Sequence, residues 1–152
     1  MCGIVAYNGN KEAFSLLING LKRLEYRGYD SAGIALLNGG LKIYKKKGKV
    51  EDLQKITSKI NSKATIGIGH TRWATHGIPN NSNSHPHTSQ SKNITLVHNG
   101  IIENYAALKE ELIKRKYKFY TDTDTEVLAN LIEDVQINEE CKKLVREFNS
   151  VR

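Results

Sequence analysis

Met1-Cys2-Gly3-Ile4-Val5-Ala6-Tyr7 opens the chain and decides how the rest is read. Gly3 to Tyr7 is a short apolar run of the kind a buried strand shows. The residue in front of it is a cysteine. A small residue in second place favours removal of Met1, which leaves Cys2 carrying a thiol and a free α-amine together. Such an amine ordinarily titrates near about 7.7–8.0, so close to neutral pH it can accept the thiol's proton. An N-terminal amine acting as base for its own side chain is one way to activate a nucleophile. The plain alternative is a small buried residue at a strand start, and Cys2 taken alone favours that alternative.

Outward from this strand the chain alternates helix and strand. Ala13, Leu16, Leu17, Leu21 and Leu24 form one stripe of a helix over Lys11 to Tyr26. Ala32–Leu37 reads as a strand, Asn38-Gly39-Gly40 as a turn, and Leu41–Lys47 as the returning strand. Val50, Leu53, Ile56 and Ile60 mark a short helix, and Thr65–Gly69 another strand. From Thr71 to Asn93 the chain is polar and irregular, a length that is usually functional or disordered. Ile94–His98 reads as a strand ending at Asn99-Gly100, and Tyr105, Leu108 and Leu112 line a helix. Tyr117–Phe119 is a candidate strand, and Thr123-Asp124-Thr125-Glu126 has capping-box form, opening a helix through about Val135. The tail from Asn138 to Arg152 reads as charged helix, with Cys141 an inert thiol in it. With no internal repeat and no linker, the expectation is one α+β domain.

At 152 residues the chain can bury a core of its own. Its 39% hydrophobic and 26% charged content is that of an ordinary globular protein. No apolar run approaches the roughly 18 residues that span a bilayer, and no signal peptide is visible, so the expectation is a cytoplasmic protein without membrane contact. Two cysteines far apart do not make a disulfide framework. The net charge of +7 raises the question of an anionic partner. The densest basic run, Lys45-Lys46-Lys47-Gly48-Lys49, continues a half-exposed strand and lacks interleaved aromatics. It reads as a solvated strand end, and no nucleic acid is expected.

Five motifs occur in order: the opening Met1-Cys2-Gly3-Ile4-Val5, Arg23-Leu24-Glu25-Tyr26-Arg27-Gly28-Tyr29-Asp30-Ser31-Ala32-Gly33, Gly69-His70-Thr71-Arg72-Trp73-Ala74-Thr75-His76-Gly77, His98-Asn99-Gly100, and Thr123-Asp124-Thr125-Glu126. Together they resemble the class II glutamine amidotransferases, a family of N-terminal nucleophile hydrolases. Tyr26 to Ser31, Thr71 to Gly77, His85-Pro86-His87 and Asn99 to Asn104 look like the glutaminase domain of the glutamine–fructose-6-phosphate aminotransferase (glucosamine-6-phosphate synthase) branch. The related amidophosphoribosyltransferases carry other residues at the first two of these places. The resemblance runs from residue 1 to about Val135 and leaves 138–152 unmatched.

The resemblance implies a four-layer αββα sandwich in which Cys2 attacks the side-chain amide of L-glutamine to give a thioester. It makes Asn99 and the Gly100 N–H the oxyanion donors. A preorganised donor of that kind can lower a barrier by about 2.7–4 kcal/mol. Without the other motifs, Asn99-Gly100 would read as a hairpin turn. Arg72 would hold the α-carboxylate with its planar fork, and Asp124 the α-ammonium. Thr121-Asp122-Thr123-Asp124 leaves two candidates on chemistry alone, and the family pattern aligns Asp124. Trp73, Thr75 and His76 belong to a loop that closes over glutamine, although a Trp beside an Arg is more often packing. Arg27 and Gly28 approach the N-terminal cysteine. His70, His76, His85 and His87 invite a zinc reading, but His-Pro-His lacks the usual ligand spacing, so neither metal nor other cofactor is expected.

The family's glutaminase domain continues with further strands, and an isomerase domain follows it. The expectation here is a truncated domain with no isomerase part, so Ile66, Ile68 and Val97 would lack full cover. A homodimer or a separately encoded partner could supply that cover. Fructose-6-phosphate enters only if such a partner brings its site. The competing readings are a working glutaminase half-reaction and an inactive remnant or regulatory module that binds glutamine or a sister subunit.

Overall fold

The computed structural model describes residues 2–60, 62–73 and 78–137. The tail expected to be helical, with Cys141, lies outside them, as do Thr75 and His76.

Four strands make an antiparallel sheet in the order β1-β4-β2-β3: β1 Gly3–Asn8, β2 Ser31–Leu37, β3 Leu41–Lys47 and β4 Ile66–Arg72. The turn at residues 38–40 joins β2 to β3, pairing Leu37 with Leu41. Period-2 alternation then divides the sheet into two faces. Ala32, Ile34 and Leu36 of β2 face α1 (Ala13–Leu24) and α2 (Val50–Thr57), packing against Leu17, Leu21 and Leu53. In α1 the buried stripe is Ala13, Leu17, Ile18 and Leu21, whereas the expected Leu16 is exposed. Positions 13, 17 and 21 keep one face on the sheet, residues 16 and 18 flank it on opposite sides, and the flank carrying Ile18 is the covered one. β3 is an edge strand, and its lysines are a common device against unwanted strand addition.

The other face of the sheet takes the site. Ser31, Gly33, Ala35 and Leu37 point there from β2, as do Ile66, Ile68, His70 and Arg72 from β4, by alternation with the core residues. Gly33 is where the later loop meets the sheet. A Cβ at Gly33 would sit 2.1 Å from the His85 carbonyl oxygen and 3.0 Å from the Tyr44 carbonyl oxygen, both backbone atoms. Gly33→Ala is therefore expected to lower stability by at least about 1–3 kcal/mol. Urea denaturation measures it, and an unchanged midpoint would refute the close approach. Toward the far end of the same face, Leu37 and Ile66 pair with each other and are 48% and 40% exposed. They line a cleft of about 380 Å³ with Ile68, Lys92 and Thr95. Ile68 and Val97 are half-buried, so all three residues expected to lack full cover retain some exposure.

The second half of the chain is less regular. β5 (His87–Thr88) and β6 (Thr95–Leu96) form a two-stranded ladder, shorter than the expected strand over 94–98. Two helices follow, α3 (Tyr105–Lys114) and α4 (Asp124–Ile137). The candidate strand at Tyr117–Phe119 does not form. There the Lys118 N–H donates to the Gln90 side chain at 2.8 Å, after a left-handed Lys116 (φ 69°).

What organises these loops is a buried polar row on α4. Glu126, Asn130 and Glu133 lie four and then three residues apart, on one helical face. Glu126 accepts from the Tyr120 and Thr121 N–H groups (3.0 and 2.8 Å), reaching past Thr123, the partner expected in a capping box. Asn130 accepts from Gln90 N–H at 2.8 Å, and Glu133 accepts from the Ser89 hydroxyl at 2.7 Å and from Ser91. Irregular backbone that no strand could pair is thus satisfied by side chains. Among the described residues, no helix is long and apolar enough to cross a membrane.

Candidate active site

Cys2 lies immediately before β1, and the register of β1 against β4 decides where its side chain goes. Gly3 pairs with Thr71, and the Gly3 N–H donates to the Thr71 hydroxyl at 3.1 Å. One step further, the Trp73 N–H donates to Cys2 Sγ at 3.2 Å, and Sγ lies 3.6 Å from the Trp73 carbonyl oxygen. The thiol thus sits at the end of β4, beside Arg72.

The segment after β6 closes the other side. The Asn99 Nδ2 donates to the Cys2 carbonyl oxygen at 3.2 Å, and its Oδ1 lies 2.7 Å from His70 Nε2. Gly100 follows, and a Cβ there would come 2.7 Å from the His98 Nε2, so the residue leaves room for that ring. At the start of α4, the Asp124 Oδ2 accepts the Ile102 N–H at 2.8 Å and Oδ1 accepts the Thr125 hydroxyl at 3.3 Å. Asp122 turns elsewhere, its Oδ2 accepting from Asn83 Nδ2 at 3.2 Å. The two aspartates that residue chemistry left equivalent thereby occupy different places.

Cys2, Arg27, Arg72, Trp73, Asn99, Gly100 and Asp124 all line one cavity of about 370 Å³. That is within the roughly 300–1,000 Å³ of small-molecule sites. A buried arginine and a buried carboxylate on the same wall suit a zwitterion. Trp73 is 54% exposed and meets the Tyr29 ring edge-on at 6.5 Å. Gly28 is buried but is not among the lining residues. His85, His98, Ile101, Thr123 and Thr125 also line the cavity, and the motifs named none of the five as site residues.

Behind the Asn99 wall stand three buried histidines. The His70 and His85 rings stack at 4.2 Å and 17°, and His85 meets His87 edge-on at 4.6 Å. His87 in turn reaches the Thr123 hydroxyl, 3.1 Å from Nε2. Burial pushes the His70 pKa down to about 4, outweighing its bond to Asn99. Burial, followed by neighbouring cationic and imidazole groups, holds His85 and His87 far below the ordinary histidine range. All three are neutral at pH 7. Rings stacked face to face do not converge their nitrogens, and among the described residues no group of three His, Cys, Asp or Glu is arranged to hold a metal ion.

The sequence of the glutamine amidotransferase domain family matches residues 57–148. Among curated relatives, the glutamine–fructose-6-phosphate aminotransferase (isomerizing) of Chlorobaculum tepidum is 57% identical over 142 residues, covering 91% of this chain and 23% of the relative. That of Caldanaerobacter subterraneus subsp. tengcongensis is 60% identical, covering 88% and 22%. That of Thermus thermophilus is 50% identical, covering 100% and 25%. The chain therefore spans about a quarter of the length of these relatives. Among solved structures, the glutamine phosphoribosylpyrophosphate amidotransferase of B. subtilis, complexed with ADP and GMP, is similar with a TM-score of 0.74 and 33% identity. The alignment covers 88% of this chain and 29% of that one.

Proposed function

The chain belongs to the class II glutamine amidotransferase family, and on that premise we propose that it hydrolyses the side-chain amide of L-glutamine to glutamate and ammonia through a thioester on Cys2. The observation that carries the proposal is the single cavity shared by the Cys2 thiol, the Asn99–Gly100 pair, Arg72 and Asp124.

With Met1 removed, the α-amine of Cys2 takes the proton from its own thiol, and the sulfur attacks the amide carbon. The amide oxygen gains negative charge as the carbon becomes tetrahedral. Asn99 Nδ2 carries two hydrogens, of which one is given to the Cys2 carbonyl. The second is left for the oxyanion, beside the Gly100 N–H. These donors act where charge develops, so they stabilise the transition state more than the bound substrate. Collapse breaks the carbon–nitrogen bond, the ammonium proton goes to the leaving nitrogen, and ammonia departs. Water then adds to the thioester carbonyl, the carbon–sulfur bond breaks, and glutamate and the free thiol are restored.

Arg72 holds the substrate's α-carboxylate and Asp124 its α-ammonium. Trp73, with Thr75 and His76, covers the bound amino acid, and Arg27 and Gly28 support the N-terminal segment. The ammonia is destined for fructose-6-phosphate, the acceptor in the relatives' name. That transfer needs a site beyond the quarter of their length spanned here, supplied by a further domain or a partner chain.

The test is to incubate the purified chain, with Met1 shown absent by intact mass, with glutamine. Glutamate and ammonia should appear in equal amounts, and acid-quenched protein should carry a glutamyl adduct on the Cys2 peptide. Glutamine binding with neither product nor adduct would instead make the chain a glutamine-binding module, and no binding at all would sink both readings.

A further inference from the structure

We propose that His70 is a positioning residue for Asn99, its Nε2–H fixing which way round the carboxamide stands so that the amide nitrogen faces Cys2. The proposal rests on the hydrolysis set out above and adds a residue to it.

The argument starts from what each neighbour can do. The Cys2 carbonyl oxygen can only accept, and it lies 3.2 Å from the Asn99 amide. The end of the amide facing it is therefore nitrogen. The other end, the oxygen, is then the atom 2.7 Å from His70 Nε2. An amide oxygen can only accept as well, so the proton of the neutral imidazole is on Nε2. Each assignment forces the next, and the chain ends at one tautomer of one ring.

Reversal of the Asn99 amide would set its oxygen against the Cys2 carbonyl oxygen. It would also turn a lone pair, in place of an N–H, toward the developing oxyanion. A lone asparagine side chain turns about its terminal torsion with little preference, so something has to hold it. His70 is suited to that. It is 1% exposed, it is carried on the paired strand β4, and its ring is clamped flat against His85. His85 Nδ1 also accepts the His98 N–H at 3.4 Å, so the same stack steadies the backbone that leads into Asn99. Burial keeps the His70 ring neutral through the physiological range, and the tautomer is preserved with it.

Two variants separate positioning from mere packing. His70→Phe keeps a flat ring on His85 and removes the donor. His70→Gln offers an amide nitrogen near the place of Nε2. Because the oxyanion exists only after attack, His70→Phe should lower kcat by roughly ten- to a hundredfold while KM for glutamine moves less than about threefold. His70→Gln should recover most of the loss. The Cys2 alkylation rate with iodoacetamide should match the unmodified chain in both. A turnover-independent reading comes from nitrogen-15 spectra of the Asn99 side-chain NH2 group. Its two protons should be well separated in the unmodified chain and move toward free-amide positions in His70→Phe, with the backbone spectrum otherwise retained. Unaltered kcat or an unaltered Asn99 signal in His70→Phe overturns the proposal. So does a joint fall of kcat, KM and melting temperature that His70→Gln fails to rescue. Should the unmodified chain itself release no glutamate, the hydrolysis reading fails, while the Asn99 spectra still decide whether His70 orients the amide.

Discussion

Cys2→Ala abolishes glutamate release, with kcat falling by roughly ten-thousand- to a millionfold, the scale seen when a nucleophile is deleted from a working constellation. The expected loss is this large because the sulfur is the atom that forms the thioester. Among the described residues, the hydroxyls on the cavity wall are Thr123 and Thr125. Thr123 is within hydrogen-bonding distance of Thr121 and His87, and Thr125 donates to Asp124. Each has a base beside it, His87 Nε2 for Thr123 and the Asp124 carboxylate for Thr125, but a hydroxyl is a far weaker nucleophile than a thiol near neutral pH. Glutamine affinity should change little, since Arg72 and Asp124 remain. Calorimetric binding beside the glutamate assay separates the two effects. Residual turnover above about one part in a thousand would place the nucleophile elsewhere.

Acid should unfold the chain through its histidines. In the unfolded state His70, His85 and His87 take up protons near the ordinary value of about 6.5. In the folded state burial keeps His70 neutral down to about 4, and the other two lower still. Between those limits the unfolded chain binds more protons than the folded one, so stability rises with pH and falls as the solution is acidified. Each ring contributes about 1.4 kcal/mol per pH unit, and three together about 4. Set against a typical domain stability of about 5–15 kcal/mol, two units of acidification below 6.5 should remove much of the fold. Lys45 and Arg72 face this cluster and resist any compensating protonation. Urea midpoints at pH 7, 6 and 5 are the measurement, because turnover will fall earlier as the α-amine protonates. Midpoints that stay level over that range would mean the rings are not buried as described.

Much of this architecture was legible in the order of residues, for reasons that are local. Apolar runs, alternation and helical stripes mark β1 to β4 and α1 to α3, because each buries one face against the sheet or its neighbours, and the Thr-Asp-Thr-Glu run marks the start of α4. The motifs around Cys2, Arg72, Asn99 and Asp124 fall on the ends of those elements, so they arrive at one cavity once the strands are in register. What could not be read depends on partners far away in the chain. Tyr117–Phe119 has strand composition, yet its backbone is satisfied by Gln90 and its neighbour Tyr120 by Glu126, leaving it no ladder to join. Glu126, read as a capping-box partner of Thr123, instead anchors residues 120–121, and Asn130 and Glu133 beside it are buried against residues 89–91. The histidines suggested metal as one option, because spacing reports ligand sets and says nothing of stacked rings. The lysines after Tyr44 needed only the sheet order to become an edge strand's guard.

Cys2 touches Trp73 and Asn99, which lie 71 and 97 positions further on. During synthesis at roughly 5–20 residues per second, the thiol leaves the ribosome about 5–20 s before the amide that would serve it. For that interval the nascent chain carries a reactive group with no pocket around it. Turnover of glutamine is thus timed by translation: it waits until Asn99 and, later still, Asp124 have been made, however reactive the thiol is before then.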